Sequence, residues 1–181
     1  MKGFLQFGFE VAKVVIIALV IVVPLRVFVF QPFLVRGDSM KPNYHNGDYL
    51  IVDQLSYRFK SPERGEVIVL QFPLNPSQRF IKRIVGLPGE SIEIKDGKVV
   101  IYEDQEQGGE AFALDESEYL PFLKDTSGSL RLNLQEGEYF VLGDNRGFSS
   151  DSRKWGVLPQ EDIVGRTLFR VFSLEAFAKE K

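Results

Sequence analysis

The chain has 181 residues, which leaves room for one domain with a complete core and a small subdomain. Its formal net charge is −3 and no stretch is strongly basic, which argues against a nucleic-acid partner. There is no cysteine and a single histidine, His45. Disulfides, zinc–thiolate sites, iron–sulfur clusters and metal sites built on several histidines are therefore excluded.

Residues 1–26 are predicted to form a cytoplasmic stub and one transmembrane helix. The uncharged run 14–25 covers only about 18 Å as a helix, whereas a full span needs about 20 residues. Lys13 can extend its charge to the membrane surface, so a short span is predicted. The alternatives are a buried core helix and a cleavable signal peptide, although no small-residue cleavage site follows. Lys2 and Lys13 favour a cytoplasmic N-terminus, but basic residues also follow the segment.

Residues 27–175 predict a mainly β domain with an antiparallel sheet or barrel-like arrangement. Short alternating apolar runs, separated by turn signals, occur at 49–53, 66–72, 79–86, 91–94, 98–102, 138–143 and 162–172. Residues 95–136 are predicted to be a variable excursion, whose acidic stretch 103–118 indicates a solvated surface. Residues 176–181 are assigned to a C-terminal tail, and 174–179 have weak helical periodicity.

Ser39 lies on the turn that ends the first predicted strand of this domain, directly after Gly37-Asp38. A serine at the tip of a strand is a suitable position for an exposed nucleophile. The alternative is an ordinary turn that only ends the strand. His45 lies six residues further on, unusually close for the base of a triad, and is interpreted as a turn residue.

Lys82 is the candidate base for Ser39. In the strand 79–86, side-chain alternation places Lys82 between apolar residues on one face and puts Arg79 and Arg83 on the other, where we expect solvent. Burial of the Lys82 amine would lower its pKa, and a neutral amine can accept the proton of a serine hydroxyl. The alternatives are that Lys82 extends to solvent or that a bulge changes the faces.

A third polar segment, Gly143–Gly156, contains aspartates and arginines two positions apart, with serines between them. Asp–Arg pairs at this density can hold a loop together through charge-assisted hydrogen bonds. Ser149 or Ser150 could orient a neutral lysine. The alternative is a surface loop whose exposed ion pairs contribute little energy.

Three segments in this order behind an N-terminal anchor, 37–42, 79–90 and 143–153, resemble bacterial type I signal peptidases over roughly residues 10–175. The resemblance implies a membrane-bound serine endopeptidase, without metal or cofactor, that cleaves signal peptides from exported preproteins after an Ala-x-Ala-like site. It implies the lipid bilayer as a second partner. The chain would cross a plasma (inner) membrane or an internal bacterial-type membrane once, with the N-terminus cytoplasmic and the catalytic domain extracytoplasmic.

The resemblance also assigns roles to residues. Ser39 would be the nucleophile and Lys82 the general base, Ser149 would hold the lysine amine, and the Ser39 backbone N–H would be one oxyanion donor. Four charged residues would support the site structurally: Asp144, Arg146, Asp151 and Arg153. Five apolar residues would line shallow pockets for small side chains: Phe33, Val35, Met40, Phe80 and Ile81.

Two departures from the family pattern and three alternatives remain. Gly37 stands where some members have a serine that completes the oxyanion hole, which leaves the second donor open, and Gly147-Phe148 replaces residues that are polar in many members. Self-cleaving repressors also use a Ser–Lys pair, but they need a DNA-binding domain and no anchor. A Gly-Asp-Ser-type lipid esterase would need a suitable histidine. A non-enzymatic, membrane-anchored β module, with the three segments serving as turns, is the remaining alternative.

Overall fold

The computed structural model describes residues 2–24, 30–103, 111–120 and 125–171. The strands are β1 (Phe30–Leu34), β2 (Tyr49–Asp53), β3 (Val67–Phe72), β4 (Asn75–Gly86), β5 (Ser91–Lys95), β6 (Lys98–Tyr102), β7 (Ala111–Ala113), β8 (Leu130–Asn133), β9 (Glu138–Leu142), β10 (Leu158–Pro159) and β11 (Ile163–Val171). The prediction of a mainly antiparallel β fold is confirmed. The predicted tail, 176–181, and the helical periodicity at 174–179 lie outside the described residues.

The N-terminal helix α1 covers Lys2–Pro24. Within its described side chains, apolar residues such as Phe7, Phe9 and Val20 are exposed. No helix in the described part of the chain is both long and apolar enough to cross a membrane. The predicted transmembrane span is therefore not confirmed.

The strands form two antiparallel sheets. The larger has the order β1-β2-β11-β3-β4-β9-β10, and the smaller has the order β7-β6-β5-β8. The hairpin between β5 and β6 turns at Asp96 and Gly97, which have φ values of 49° and 76°. Positive φ at both central residues is typical of the tight hairpin turns favoured by Asp-Gly, as the sequence predicts.

Side-chain alternation along β4 places its apolar residues in different core clusters. Ile84 and Phe80 pack with residues such as Ile68 and Tyr139 in one cluster, whereas Ile81 packs in another. Lys82 lies between Phe80 and Ile84 in the chain and pairs with Ile68 across the β3–β4 ladder. The predicted apolar surroundings of Lys82 follow from this register.

The face of β4 opposite Lys82 was expected to be exposed to solvent, but it is partly buried. Arg83 is only 9% exposed, and its guanidinium is hydrogen-bonded to the buried carboxylate of Asp144. Arg79, nearer the start of the strand, is exposed. The prediction that both arginines lie in solvent is therefore wrong for Arg83.

Candidate active site

The turn that carries Ser39 is fixed by the chain segment that returns towards β2. The Val35 N–H donates to the Asp48 carbonyl at 2.8 Å, and the Gly47 N–H donates to the Val35 carbonyl at 3.0 Å. The chain then leaves the strand at Gly37, whose φ of 90° is a conformation that glycine adopts readily. The Gly37 N–H donates to Asn46 Oδ1 at 2.9 Å. Ser39 follows this bend and lines the adjacent cleft.

The structure brings Ser39 and Lys82 together. Lys82 Nζ lies 3.0 Å from Ser39 Oγ and donates to the Ile81 carbonyl at 2.8 Å. The lysine side chain is 3% exposed, and its Nζ lies 5.2 Å from the centroid of the Phe80 ring. An amine on β4 and a hydroxyl after β1 therefore meet at hydrogen-bond distance, 43 positions apart in the chain.

Burial lowers the pKa of Lys82 to about 8, although the carboxylates of Asp151 and Asp144 act in the opposite direction. At that pKa roughly a tenth of the Lys82 amines are neutral at pH 7, compared with about 0.03% for an ordinary lysine. A neutral amine at this distance can accept the Ser39 hydroxyl proton. The pair thus has a hydrogen-bonding geometry, and a fraction of neutral amine, that would allow proton transfer from the hydroxyl to the amine.

A cleft of about 430 Å³ opens beside the Ser39 hydroxyl. Four of the five predicted pocket residues line it: Phe33, Val35, Phe80 and Ile81. Met40 does not line it. Its side chain is 1% exposed and packs in the core below, where its Sδ accepts from the Asp144 N–H at 3.5 Å. Met40 therefore packs beneath the turn that carries Ser39 and is not among the residues that line the cleft.

Asp144 is the centre of a charged cluster beneath the site. It accepts two hydrogen bonds from Arg83, at 2.9 and 2.7 Å, and one from Asn43 Nδ2 at 2.8 Å. Arg83 also lies over the Tyr119 ring, 4.0 Å from its centroid. The Asp144 carboxylate thus holds three parts of the chain together: the segment that follows Ser39, β4 and the third polar segment.

Arg146 forms its ion pair with Glu116 and not with Asp144. Its Nη1 donates to Glu116 Oε2 at 2.8 Å, its Nη2 donates to the other carboxylate oxygen, and Thr126 accepts a further bond. Both charged side chains are almost fully buried, at 2% and 3% exposure. Glu116 belongs to the acidic stretch that was expected to be solvated, and this expectation is wrong for Glu116 because it balances a buried cation.

Asp151 and Arg153 form the expected ion pair, with Nε–Oδ1 and Nη2–Oδ2 distances of 2.8 Å. Asp151 also accepts from the Gly143 N–H at 3.1 Å and caps the short helix α2, Ser152–Trp155. Burial acts to raise the pKa of Asp151, but the hydrogen bonds from Arg153 and Gly143 outweigh it and hold the pKa below its usual value. Asp151 is therefore an anion that fixes the loop beside the site.

Ser149 is buried next to the turn that carries Ser39. Within the described residues it makes no hydrogen bond to Lys82. The Ser149 hydroxyl acts instead on the Asp151 carboxylate, where it helps to lower the pKa of that group. Its position is set by Gly143, where a side chain would overlap Ser149 Oγ and lie 2.6 Å from the Ser39 carbonyl oxygen. The lysine-orienting role of Ser149 stays a prediction.

The site also depends on residues to which the sequence analysis gave no role in it. Arg83, Asn43, Asn145 and Glu116 all make hydrogen bonds to the predicted residues or their backbone. For Arg83, the signal available in the sequence was its position directly after Lys82. His45 is confirmed as a turn residue, since its carbonyl accepts from the Asp48 N–H at 3.1 Å.

Comparison with known proteins gives matches over almost the whole chain. The sequence profile of the signal peptidase family, peptidase S26, matches residues 8–172. A probable signal peptidase I-1 from Synechocystis sp. is 37% identical over 175 residues, covering 92% of this chain and 84% of that protein. Signal peptidase I from Bacillus licheniformis is 31% identical over 175 residues, covering 94% and 92%. A crystal structure of a signal peptidase I from Enterococcus faecalis is 31% identical, with a TM-score of 0.47, covering 61% of this chain and 98% of that one.

Proposed function

Since this chain belongs to the signal peptidase family, peptidase S26, it is a hydrolase of that family, and we propose that it cleaves N-terminal signal peptides from exported preproteins with Ser39 as nucleophile and Lys82 as general base. A Ser–Lys dyad is characteristic of the family. The observation that carries the proposal for these two residues is the 3.0 Å distance between Lys82 Nζ and Ser39 Oγ, with the amine buried.

The reaction begins when Ser39 Oγ attacks the scissile carbonyl carbon and its proton passes to neutral Lys82. The carbonyl electron pair moves onto oxygen, and this oxyanion accepts a hydrogen bond from the Ser39 backbone N–H. Collapse of the intermediate expels the amine of the mature protein, which takes the proton from Lys82 and leaves an ester on Ser39. A water molecule, deprotonated by Lys82, then attacks the ester carbonyl carbon. The bond to Ser39 Oγ breaks, Oγ takes the proton from Lys82, and the signal peptide leaves with a free carboxyl group.

The lining of the cleft supports a preference for small side chains on the signal-peptide side of the bond. Phe33, Val35, Phe80 and Ile81 are bulky and apolar, and they leave a shallow space beside Ser39. In an extended peptide, alternate side chains point in the same direction. The first and third residues before the bond would enter the cleft together, which corresponds to an Ala-x-Ala site.

The exposed apolar side chains of α1 support attachment to a lipid bilayer. Phe7 and Phe9 are 68% and 71% exposed, and Val14 and Val20 are similarly uncovered. The proposed arrangement is a single pass through a plasma (inner) or internal bacterial-type membrane, with the β domain on the extracytoplasmic side. Protease added outside sealed cells should digest the β domain; complete protection of that domain would contradict this orientation.

The proposed activity is tested with a full-length preprotein that carries an Ala-x-Ala site. The detergent-solubilised protein should release the shortened product, with a new N-terminus directly after the second Ala. Ser39→Ala and Lys82→Ala should each abolish release while retaining the β circular-dichroism signal. Ser61→Ala and Lys154→Ala, the same changes at exposed positions that do not line the cleft, are matched controls. Retained cleavage by either Ser39→Ala or Lys82→Ala would remove the proposed mechanism.

A further inference from the structure

The third polar segment lies directly along the backbone of the turn that carries Asp38 and Ser39. The Asn145 N–H donates to the Ser39 carbonyl at 2.9 Å, and Asn145 Nδ2 donates to the Asp38 carbonyl at 3.0 Å. Asn145 thus binds two consecutive carbonyls, one on each side of the Ser39 α-carbon. Gly143 lies close enough to the Ser39 carbonyl that no side chain fits there. Residues 143–145 therefore contact the backbone of the turn that carries Ser39.

The side-chain bond of Asn145 fixes one particular peptide unit. The Asp38 carbonyl and the Ser39 N–H belong to the same planar, trans peptide group, so they point in opposite directions. When Asn145 Nδ2 holds the Asp38 carbonyl on one side, the Ser39 N–H must point to the other side. That N–H makes no hydrogen bond with any residue the structure describes. It is free to donate to a substrate oxygen.

No side chain at position 37 can donate a second hydrogen bond to that substrate oxygen. Gly37 has none, and its backbone N–H already donates to Asn46. The direction of the Ser39 N–H is therefore more important here than in a site with a hydroxyl at that position. The Lys41 N–H also reaches the Asp38 carbonyl, but at a longer 3.3 Å. The Asn145 amide is the shorter of the two contacts.

We infer that Asn145 is a positioning residue for catalysis, which holds the Asp38–Ser39 peptide group so that the Ser39 N–H faces the oxyanion of the reacting carbonyl. This inference rests on the proposed function. Asn145 is not among the residues that line the cleft, and within the described residues it makes no hydrogen bond to Lys82. Its loss should weaken stabilisation of the transition state, and it should leave substrate binding and the proton transfer to Lys82 intact.

The test is Asn145→Leu in the full chain, assayed with an Ala-x-Ala precursor. Leucine has nearly the same shape and no charge, and it cannot donate to the Asp38 carbonyl, whereas the backbone N–H of residue 145 remains. Removal of an oxyanion donor costs a factor of about 100 to 1,000 in kcat, so misalignment of one should lower kcat by roughly 10- to 100-fold. KM should stay within about twofold, and the midpoint of the pH–rate profile should not move.

A second measurement separates positioning from a general loss of structure. A peptide aldehyde ending in Ala-x-alaninal adds to Ser39 Oγ, and the oxygen of the adduct occupies the oxyanion position. Its affinity should fall in Asn145→Leu by about the factor seen in kcat. Asn133→Leu makes the same chemical change on β8 of the second sheet, and it should leave kcat, KM and aldehyde affinity unchanged.

Each outcome bears on the inference separately from the proposed function. Cleavage by the wild type with an unaltered kcat in Asn145→Leu would overturn the inference alone. A fall in kcat with a matching rise in KM, or with a shifted pH midpoint, would also overturn it, because the pocket or Lys82 would then be disturbed. If the wild type cleaves no precursor, the proposed function fails and the inference fails with it.

Discussion

Replacement of Lys82 by Met should make stability less dependent on pH, because the fold holds this lysine at an energetic cost. The side chain is 3% exposed, and burial lowers its pKa from 10.5 to about 8. One pKa unit corresponds to about 1.4 kcal/mol, so protonated Lys82 costs the folded state about 3 kcal/mol at pH 7. Methionine has a similar length and no charge to desolvate.

The sign follows from proton binding. The folded-state pKa lies below the unfolded one, so the unfolded chain binds more protons between pH 8 and pH 10.5 and wild-type stability rises with pH across that window. The cost is complete below pH 8 and falls to about 1 kcal/mol at pH 10. Relative to Lys82→Met, the wild type should gain about 2 kcal/mol in unfolding free energy from pH 7 to pH 10.

Loss of two hydrogen bonds in the variant does not affect this comparison. Met cannot donate to Ser39 Oγ or to the Ile81 carbonyl, which adds an offset of about 1–3 kcal/mol. That offset is independent of pH, so it cancels when the two pH profiles are subtracted. The other titrating groups are common to both proteins and also cancel.

The assay is urea unfolding of the full chain in non-ionic detergent at pH 7, 8, 9 and 10. Trp155 is the only tryptophan, and its ring lies edge-on to Phe72 at 6.0 Å, so its fluorescence reports unfolding of the larger sheet. Lys154→Met, at an exposed position, is the control for removal of a charge. A constant difference between wild type and Lys82→Met over this range would refute the argument that burial depresses the Lys82 pKa.

Three further outcomes are expected. The cleavage rate should fall about tenfold per pH unit below pH 8, because the neutral fraction of Lys82 does so; a flat rate from pH 6 to 9 would exclude Lys82 as base. Gly143→Ala should lower kcat more than about 100-fold, since its methyl group would lie 2.6 Å from the Ser39 carbonyl oxygen; near-normal kcat would show that the turn can shift freely. Arg146→Met should lower the unfolding free energy by about 3–5 kcal/mol, because it leaves Glu116 buried without its cation; adding Glu116→Leu should recover much of this loss, and an equal loss in the double variant would contradict the explanation.

Local sequence pattern was sufficient for features decided within one strand or one turn. The burial of Lys82 follows from alternation in β4, because the residues two before and two after it, Phe80 and Ile84, pack in the same cluster. The Asp96-Gly97 hairpin follows from the backbone conformations that these two residues tolerate. The meeting of Lys82 with Ser39 required more than this pattern, and it was expected because the chain resembles a family.

Charge partners could not be predicted, because distance along the chain does not determine them. Asp144 and Arg146 are two positions apart, yet each pairs elsewhere. Asp144 pairs with Arg83, 61 positions away, and Arg146 pairs with Glu116, 30 positions away. These partners depend on the register of β4 against β9 and on the path of the excursion. Composition alone indicated solvent for the acidic stretch and gave no sign that one of its carboxylates is enclosed.

The Arg146–Glu116 pair joins the loop of the third polar segment, 143–156, to the chain between β7 and β8 of the second sheet. A ligand that immobilises the loop should therefore slow amide hydrogen exchange at a distance, in Leu130–Asn133 as well as around the cleft. Exchange measured with and without a bound peptide aldehyde would reveal this remote protection. Protection restricted to the cleft would mean that the two sheets fluctuate independently in spite of the charged link between them.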